Sequence, residues 1–498
     1  MTVALPPPKI RRLVTFFLMS GAIMNQLDTT IANVALPHMQ GSTSASQEQI
    51  SWVLTSYIVS AAIFTPLTGW LANRFGRKRL LLFSIVGFTI TSGLCGLAIN
   101  LGQLIAFRIM QGIFGSSLVP MSQATMFDIY PQEQHGQAMA VFGLAAITGP
   151  LVGPLLGGWL TEQFNWRWVF LINLPFGVMS FAGLLLFMPD LRSAKGDQKP
   201  LDVAGFGFLA IALGAFQLML DRGQMQDWFQ SWEICIEAAL CAVSTYLFVV
   251  HSLTTARPFV SPAVFRDRNF VISSMIGFFL GVFIYSALSL LPPFLAQLKN
   301  YPMMEIGLTL APRGIGTLFA MLLLGRIVNR LDPRPLIFTG LLLCAFSSFL
   351  LSRMTIQSDS MLPIAAGIVQ GIGSSIIFVP LTTMAFATLH ARYRSEAAAF
   401  NTLTRNMGAS VGISVVQALT IRNTQIVHSR LVEGLRPDSP AFGLMLPDFD
   451  FYTASSVASL DHQAVRQAMM VAYMDTFWGL CIMGVLAAPL VLLLRSSK

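Results

Sequence analysis

The chain has 498 residues, of which 11% are charged and 54% hydrophobic, and a formal net charge of +8. A soluble protein of this length carries about 25% charged residues, so the composition excludes an ordinary soluble domain and marks an all-α polytopic membrane protein. The basic residues lie in short loops between apolar runs and not on one face, which argues against nucleic-acid binding.

Spans of about 20 apolar residues recur fourteen times. They run at roughly 13–36, 50–72, 80–99, 102–126, 137–160, 168–188, 202–220, 232–252, 270–292, 304–328, 335–354, 361–387, 397–421 and 470–494. The first follows Lys9, Arg11 and Arg12, and no small-residue cleavage site closes it, so it reads as a span and not a leader. It carries Asn25, Gln26, Asp28 and Asn33. After the second span comes Gly69-Trp-Leu-Ala-Asn73-Arg74-Phe-Gly76-Arg77-Lys78-Arg79. The fourth holds Arg108, Gln111, Gly112 and Gln123, and the fifth the run Gly149-Pro150-Leu-Val-Gly153-Pro154-Leu-Leu-Gly157-Gly158. Glu237 lies in the eighth, Arg313 in the tenth, Arg405 in the thirteenth and Asp475 in the last. The five cysteines fall inside apolar runs with no C-x-x-C pair and read as inert.

An even number of spans puts both termini on one side. With that side cytoplasmic, the inner segments hold roughly 20 Lys and Arg and the outer loops roughly 8. The long polar outer loop 422–469 tolerates its arginines because the rule weakens with loop length.

Three matches relate the two ends of the chain. Gly69–Arg74 resembles Gly325-Arg-Ile-Val-Asn329-Arg330, Gln111-Gly112-Ile113 matches Gln370-Gly371-Ile372, and Gly149-x-x-x-Gly153 matches Gly408-x-x-x-Gly412, at offsets of 256, 259 and 259 residues. Spans one to six then correspond to nine to fourteen in the same sense, a parallel repeat. The expected organisation is a six-helix bundle over 1–190, two inserted helices with linkers over 191–268, and a second six-helix bundle over 269–498.

These residues resemble the major facilitator superfamily, and within it the fourteen-span drug–proton antiporters of the EmrB/QacA type. Leu27-Asp28-Thr-Thr-Ile-Ala-Asn33-Val-Ala-Leu-Pro37 is similar to that branch's first-helix motif, Gly69–Arg79 to its loop motif, Arg108–Gly112 to its fourth-helix motif and Gly149–Gly158 to its antiporter motif. Leu220-Asp221-Arg222-Gly223 with Asp227-Trp228-Phe229 resembles the loop between the inserted helices of EmrB-like pumps. One departure stands out: the loop motif usually carries an acid where this chain has Asn73, so the conformational switch made by that acid is weaker here or sits elsewhere.

Ionisable groups inside a span cost at least ~2.5 kcal/mol and are functional candidates by default. Asp28 and Arg108 share a depth in the outer half and pair if their faces meet; Asp475 and Arg313 belong near one level; Arg405 lies in the inner half. One reading is a carboxylate that alternates between a paired, ionised state and a protonated one, coupling proton flow to substrate flow. The other is a fixed ion pair that sets helix register. Glu237 reads as peripheral, and Asp128 and Glu396 as solvated span ends. The Gly-Pro run predicts a bent helix packed closely on a partner from the other half, either as plain packing or, as the resemblance implies, as a gate against proton leak. Arg74, Arg77, Lys78 and Arg79 serve topology and anionic lipid, or conformational change. Asn25, Gln26, Asn33 and Gln123 are candidates to line a pocket for a large amphiphile.

There is no P-loop and no His/Cys cluster with metal-ligand spacing, so no cofactor and no metal is expected. The resemblance implies a proton gradient as the energy source. It further implies a bacterial inner-membrane protein with cytoplasmic termini that exports hydrophobic or amphiphilic compounds. A dedicated exporter of one metabolite, such as a siderophore or a fatty acid, is the alternative; a receptor without transport is disfavoured by the lack of an output domain. A periplasmic membrane-fusion adaptor and an outer-membrane channel are the implied protein partners, with 422–469 as a docking surface.

Overall fold

The computed structural model describes residues 6–189, 200–328, 331–390, 393–435 and 453–495. Asn329 and Arg330 of the second loop motif therefore lie outside the described residues. Among the described residues the structure is helical throughout. The first bundle comprises α1 (Pro8–Thr43), α2 (Gln47–Phe64), α3 (Leu67–Phe75), α4 (Arg77–Leu97), α5 (Leu101–Gly115), α6 (Leu118–Ile129), α7 (His135–Gln163), α8 (Trp168–Leu171) and α9 (Asn173–Phe187). The inserted pair is α10 (Val203–Arg222) and α11 (Trp232–Thr254), followed by the short α12 (Pro262–Arg266). The second bundle comprises α13 (Arg268–Gln297), α14 (Met303–Leu310), α15 (Pro312–Ile327), α16 (Pro333–Ser352), α17 (Met361–Ala387), α18 (Arg394–Gly434) and α19 (Ala454–Ala487).

Local chemistry starts and breaks these helices. A capping box joins Ser46 and Gln49 at the head of α2, and Asn100, Asp202 and Asp267 accept backbone N–H bonds at the heads of α5, α10 and α13. Four expected spans are broken. Pro66 separates α2 from α3 with a 56° bend, Ser116 and Ser117 separate α5 from α6, Ile172 separates α8 from α9, and Ala311-Pro312 separates α14 from α15. At Pro66 and Pro312 the cause is proline, which withholds a backbone donor and crowds the preceding turn. Hydropathy counts the residues on both sides of such a break as one run.

Among the described residues ten helices are long and apolar enough to cross a membrane, or eleven with the bent α2–α3 pair. The long helices α1 and α18, of 36 and 41 residues, fall short in apolarity, and with the 29-residue α7 they complete a set of fourteen rods. Arg11 Nη1 donates to Gln134 between α6 and α7, and Asn269 at the head of α13 bonds the backbone of Arg495. Both chain ends thus close on the same face of the bundle.

The inserted pair divides its work. α10 touches both bundles: Asp221 accepts from Thr55 of α2, Gln217 Nε2 donates to Ser410 Oγ of α18 at 3.0 Å, and Ser414 donates to the Leu220 carbonyl. α11 lies outside it and turns Trp232, Ile236, Tyr246 and Leu253 outward. Asp202, in the linker, is tied by Gly205 N, Phe259 N and the His251 ring. Burial alone would push its carboxyl up; these donors outweigh burial and hold it below the usual carboxylate range.

The expected polar loop 422–469 is largely helix. Residues 422–434 continue α18 and 454–469 open α19, while 436–452 lie outside the described residues. At 1.5 Å per residue α18 is about 60 Å long, twice a hydrocarbon core of about 30 Å. Its far end is joined to α19 by His428 and Asp461 at 2.9 Å. Polar sequence suits a solvated helix as readily as a loop, and composition does not separate the two.

Candidate functional site: a sealed ion pair and an end latch

Asp28 and Arg108 are both fully buried and meet at 2.6 Å. The remaining carboxylate oxygen accepts from Gln111 Nε2 and Asn173 Nδ2, each at 2.9 Å. Arg108 also donates through Nε to the Val53 carbonyl at 3.0 Å and through Nη1 to Gln111 Oε1 at 2.8 Å. Its guanidinium lies 4.3 Å from the Tyr57 ring centroid and 5.6 Å from that of Phe170. Asn173 is held in turn by Ser92 Oγ at 3.0 Å. The pair is thus built from α1, α2, α4, α5, α8 and α9, all of the first bundle. Aromatic faces and amides replace water around both charges, the condition under which a buried pair is sustained.

The antiporter motif lies beside this pair. A Cβ on Gly149 would sit 2.5 Å from the Gln26 backbone, one on Gly153 2.1 Å from Thr30 Oγ1, and one on Gly157 2.9 Å from the Ile31 carbonyl. Glycines four residues apart thus form one stripe of α7 in backbone contact with α1, flanking Asp28. The expected partner from the other bundle is corrected: the stripe faces its own bundle, because the residues opposite it are those of α1. Pro154 is exposed, Gly158 has open space beside it, and Pro150 falls on the same helix. The second bundle meets α7 elsewhere: Gly143 packs on Met321 and Phe378, Leu155 on Gly307, and Phe142 stacks on Phe378 with centroids 6.2 Å apart.

At the face that carries both chain ends, the bundles are latched. Asp128 at the end of α6 pairs with Arg77 of α4 and with Arg394 of α18, the latter at 3.0 Å. Arg77 Nε also donates to Ser395 Oγ at 2.8 Å. Gly69 lies so close to α18 that a Cβ would stand 2.9 Å from Glu396 Cα. Phe127 packs on Phe386 with centroids 4.7 Å apart. Gly76 has φ +87°, a left-handed turn that glycine adopts without strain and that reverses the chain from α3 into α4. Asn73 is exposed and Arg74 lies over the Trp70 ring at 5.5 Å. The carboxylate that joins the bundles here is Asp128, read from sequence as a solvated span end.

The remaining candidates scatter. Asn25 is buried and donates to Tyr57 Oη at 2.9 Å and to the Gly115 carbonyl, a tie between helices and not a pocket wall. Gln26 donates to the Ala146 carbonyl at 3.2 Å, and Asn33 is exposed. Gln123 is fully buried with no hydrogen-bond partner for either amide atom among the described residues. Arg313 is buried and, among the described residues, hydrogen-bonds only the Ile284 carbonyl, at 3.4 and 3.5 Å. Arg405 lies over the Phe378 ring at 5.5 Å. Asp475 is exposed and shares a crevice with Arg353 between α16 and α19, away from the expected Arg313. Glu237 is buried, one of its oxygens without a partner among the described residues. An apolar crevice of about 340 Å³ opens between α3, α4 and α5 at the end of α2, lined by Phe64, Phe75, Phe83 and Phe114.

Residues 18–413 match the family model described as Major Facilitator Superfamily. The chain belongs to the Major Facilitator Superfamily. Solved facilitators give the same fold at 15% identity: the human organic anion transporter MFSD10, with a TM-score of 0.60 over 98% of this chain and 100% of that one, and the proton:xylose symporter XylE, with 0.62 over 98% and 97%. In sequence the chain is similar to the "Multidrug export protein EmrB" of Haemophilus influenzae, 32% identical over 96% of this chain and 94% of that protein. The EmrB of Escherichia coli is 32% identical over 94% and 92%. The "Fatty acid resistance protein FarB" of Neisseria gonorrhoeae is 33% identical over 97% and 96%. Within this facilitator, sequence reasoning missed Asn173, Tyr57 and Arg394. An amide in the apolar run Phe-Leu-Ile-Asn173-Leu-Pro-Phe was the available signal for the first; nothing in the sequence singled out the other two.

Proposed function

We propose that this chain is a proton-coupled antiporter that exports hydrophobic or amphiphilic drugs across the bacterial inner membrane by alternating access. The observation that carries the reading is the water-sealed Asp28–Arg108 pair inside one bundle, braced by the glycine stripe of α7. The carboxylate faces a guanidinium and two amide donors. A movement of α1 against α5 would part it from Arg108, and apolar surroundings would then favour the protonated form. The end latch closes one side, which the distribution of basic residues makes the cytoplasmic side, with both termini there. Two relatives named multidrug export proteins support a drug-like cargo.

The energy source on this reading is the proton gradient, and the chain acts as a transporter and not an enzyme. The α18–α19 extension beyond the span supports a periplasmic adaptor of the membrane-fusion type, and beyond it an outer-membrane channel, as partners. The relative named for fatty acid resistance supports the second reading, an exporter dedicated to one metabolite class.

Proteoliposomes with an imposed pH gradient and a panel of dyes test both readings. Wild-type protein is expected to consume the gradient on addition of several unrelated dyes, and Asp28→Asn to remain folded at the assay temperature, though less stable, and consume none. Gradient-driven transport at wild-type rate by Asp28→Asn would remove the coupling role. Response to a single compound class would favour the dedicated exporter.

A further inference from the structure

The two bundles differ in how their buried charge is treated. In the first, Arg108 is neutralised by Asp28. In the second, neither Arg405 nor Arg313 forms an ion pair with a carboxylate among the described residues: Arg405 lies over an aromatic ring and Arg313 reaches a backbone carbonyl. The backbone around Arg405 is fixed: a Cβ on Gly281 of α13 would stand 2.2 Å from the Arg405 carbonyl, so α13 and α18 touch there. The side chain extends instead to Phe378 of α17. Phe378 is the ring that Phe142 of the opposite bundle stacks upon. A guanidinium at the seam between the bundles thus sits on a two-ring apolar platform made by both.

An unpaired cation within a bilayer is costly. A cation–π contact returns part of that cost, and it leaves the in-plane donors of the guanidinium unused. A carboxylate fits those donors in bidentate fashion. We propose that Arg405 binds the anionic headgroup of an amphiphile and that the Phe378–Phe142 pair receives the adjoining apolar part. The cargo preferred at this site is then an amphiphilic acid, and a cationic amphiphile of the same length is disfavoured. This deepens the export reading and rests on it only for the direction of movement, because binding needs no gradient.

The test is equilibrium binding to purified full-length protein in nanodiscs of zwitterionic lipid, with three twelve-carbon probes: laurate, dodecanol and dodecyltrimethylammonium. Wild type is expected to bind laurate at least tenfold more tightly than the cation. Arg405→Gln is expected to lose that preference while its affinity for dodecanol holds, and Arg405→Lys to keep part of it. Equal affinity of the wild type for laurate and the cation overturns the proposal whether or not the variants fold. Laurate affinity unchanged in Arg405→Gln, or an equal loss for all three probes, overturns it also. Suppression of laurate binding by added phosphatidylglycerol would assign the cation to a lipid headgroup and overturn the cargo role. Laurate binding that depends on Arg405, in a protein that moves no dye against a pH gradient, would sink the export reading and leave this site standing.

Discussion

Arg108 donates through Nε and Nη1 to the Val53 carbonyl, Asp28 and Gln111, leaves Nη2 without a partner among the described residues, and covers its faces with Tyr57 and Phe170. Removing one partner of a buried pair costs about 3–5 kcal/mol, whereas replacing both with uncharged groups is often close to neutral. Arg108→Ala and Asp28→Asn should therefore each lower the thermal unfolding temperature in detergent, and Asp28→Asn/Arg108→Leu should unfold above either single variant. A double variant no more stable than the worse single would mean that charge burial is not the dominant cost. The glycine stripe makes a second contrast. Gly149→Val drives a side chain into the Gln26 backbone and should cost about 1–3 kcal/mol, while Gly158→Ala meets open space and should shift stability by less than about 0.5 kcal/mol. Equal melting temperatures for the two would deny the stripe its role. At this scale the sequence exposed what hydropathy sees, a charge inside an apolar run: Asp28, Arg108, Arg313 and Arg405. It hid Asp128, because a carboxylate at a span end looks solvated until the other bundle is placed against it.

Helices carry the next level. α1 and α18 are the long helices that fall short in apolarity, and they bear Asp28 and Arg405. A rod that presents polar groups to the interior cannot be apolar all round, so weak hydropathy marks such a rod. The fourteen expected spans are consistent with the helices seen, because even these two carry long apolar runs. The ends of the spans were not legible, since the solvated extensions of α18 and α19 and the bend at Pro66 leave no trace in mean hydropathy. The latch belongs to this scale too, for it joins the ends of α4, α6 and α18. Asp128→Ala removes the carboxylate shared by Arg77 and Arg394 and leaves two cations facing each other. Spin labels at Asn73 and Leu331 should then report a longer distance in a larger fraction of molecules, about tenfold larger for each 1.4 kcal/mol lost. An unchanged distance distribution would show that the apolar contact of Phe127 with Phe386 holds this end without help.

In the whole molecule, the inserted pair changes what a two-bundle protein can do. The repeat offsets made the two bundles legible and left the inserted helices as spare parts. The structure puts α10 across the seam between α2 and α18, with hydrogen bonds to both. Such bonds are worth about 0.5–1.5 kcal/mol each, weak enough for one set to yield when the bundles rock. Cysteine pairs bridged by a short bifunctional reagent at positions 217 and 410, or at 55 and 221, should each leave transport running, and both bridges together should stop it. Arrest by either bridge alone would mean that α10 moves against both neighbours at once.

A wall that is part of neither rocking body has to travel with one of them. Whichever it follows, that flank stays curtained from the acyl chains through every stage of the cycle. A solute dissolved in the bilayer must then come in by the opposite flank or through a mouth, and the chain acquires a front and a back in the plane of the membrane.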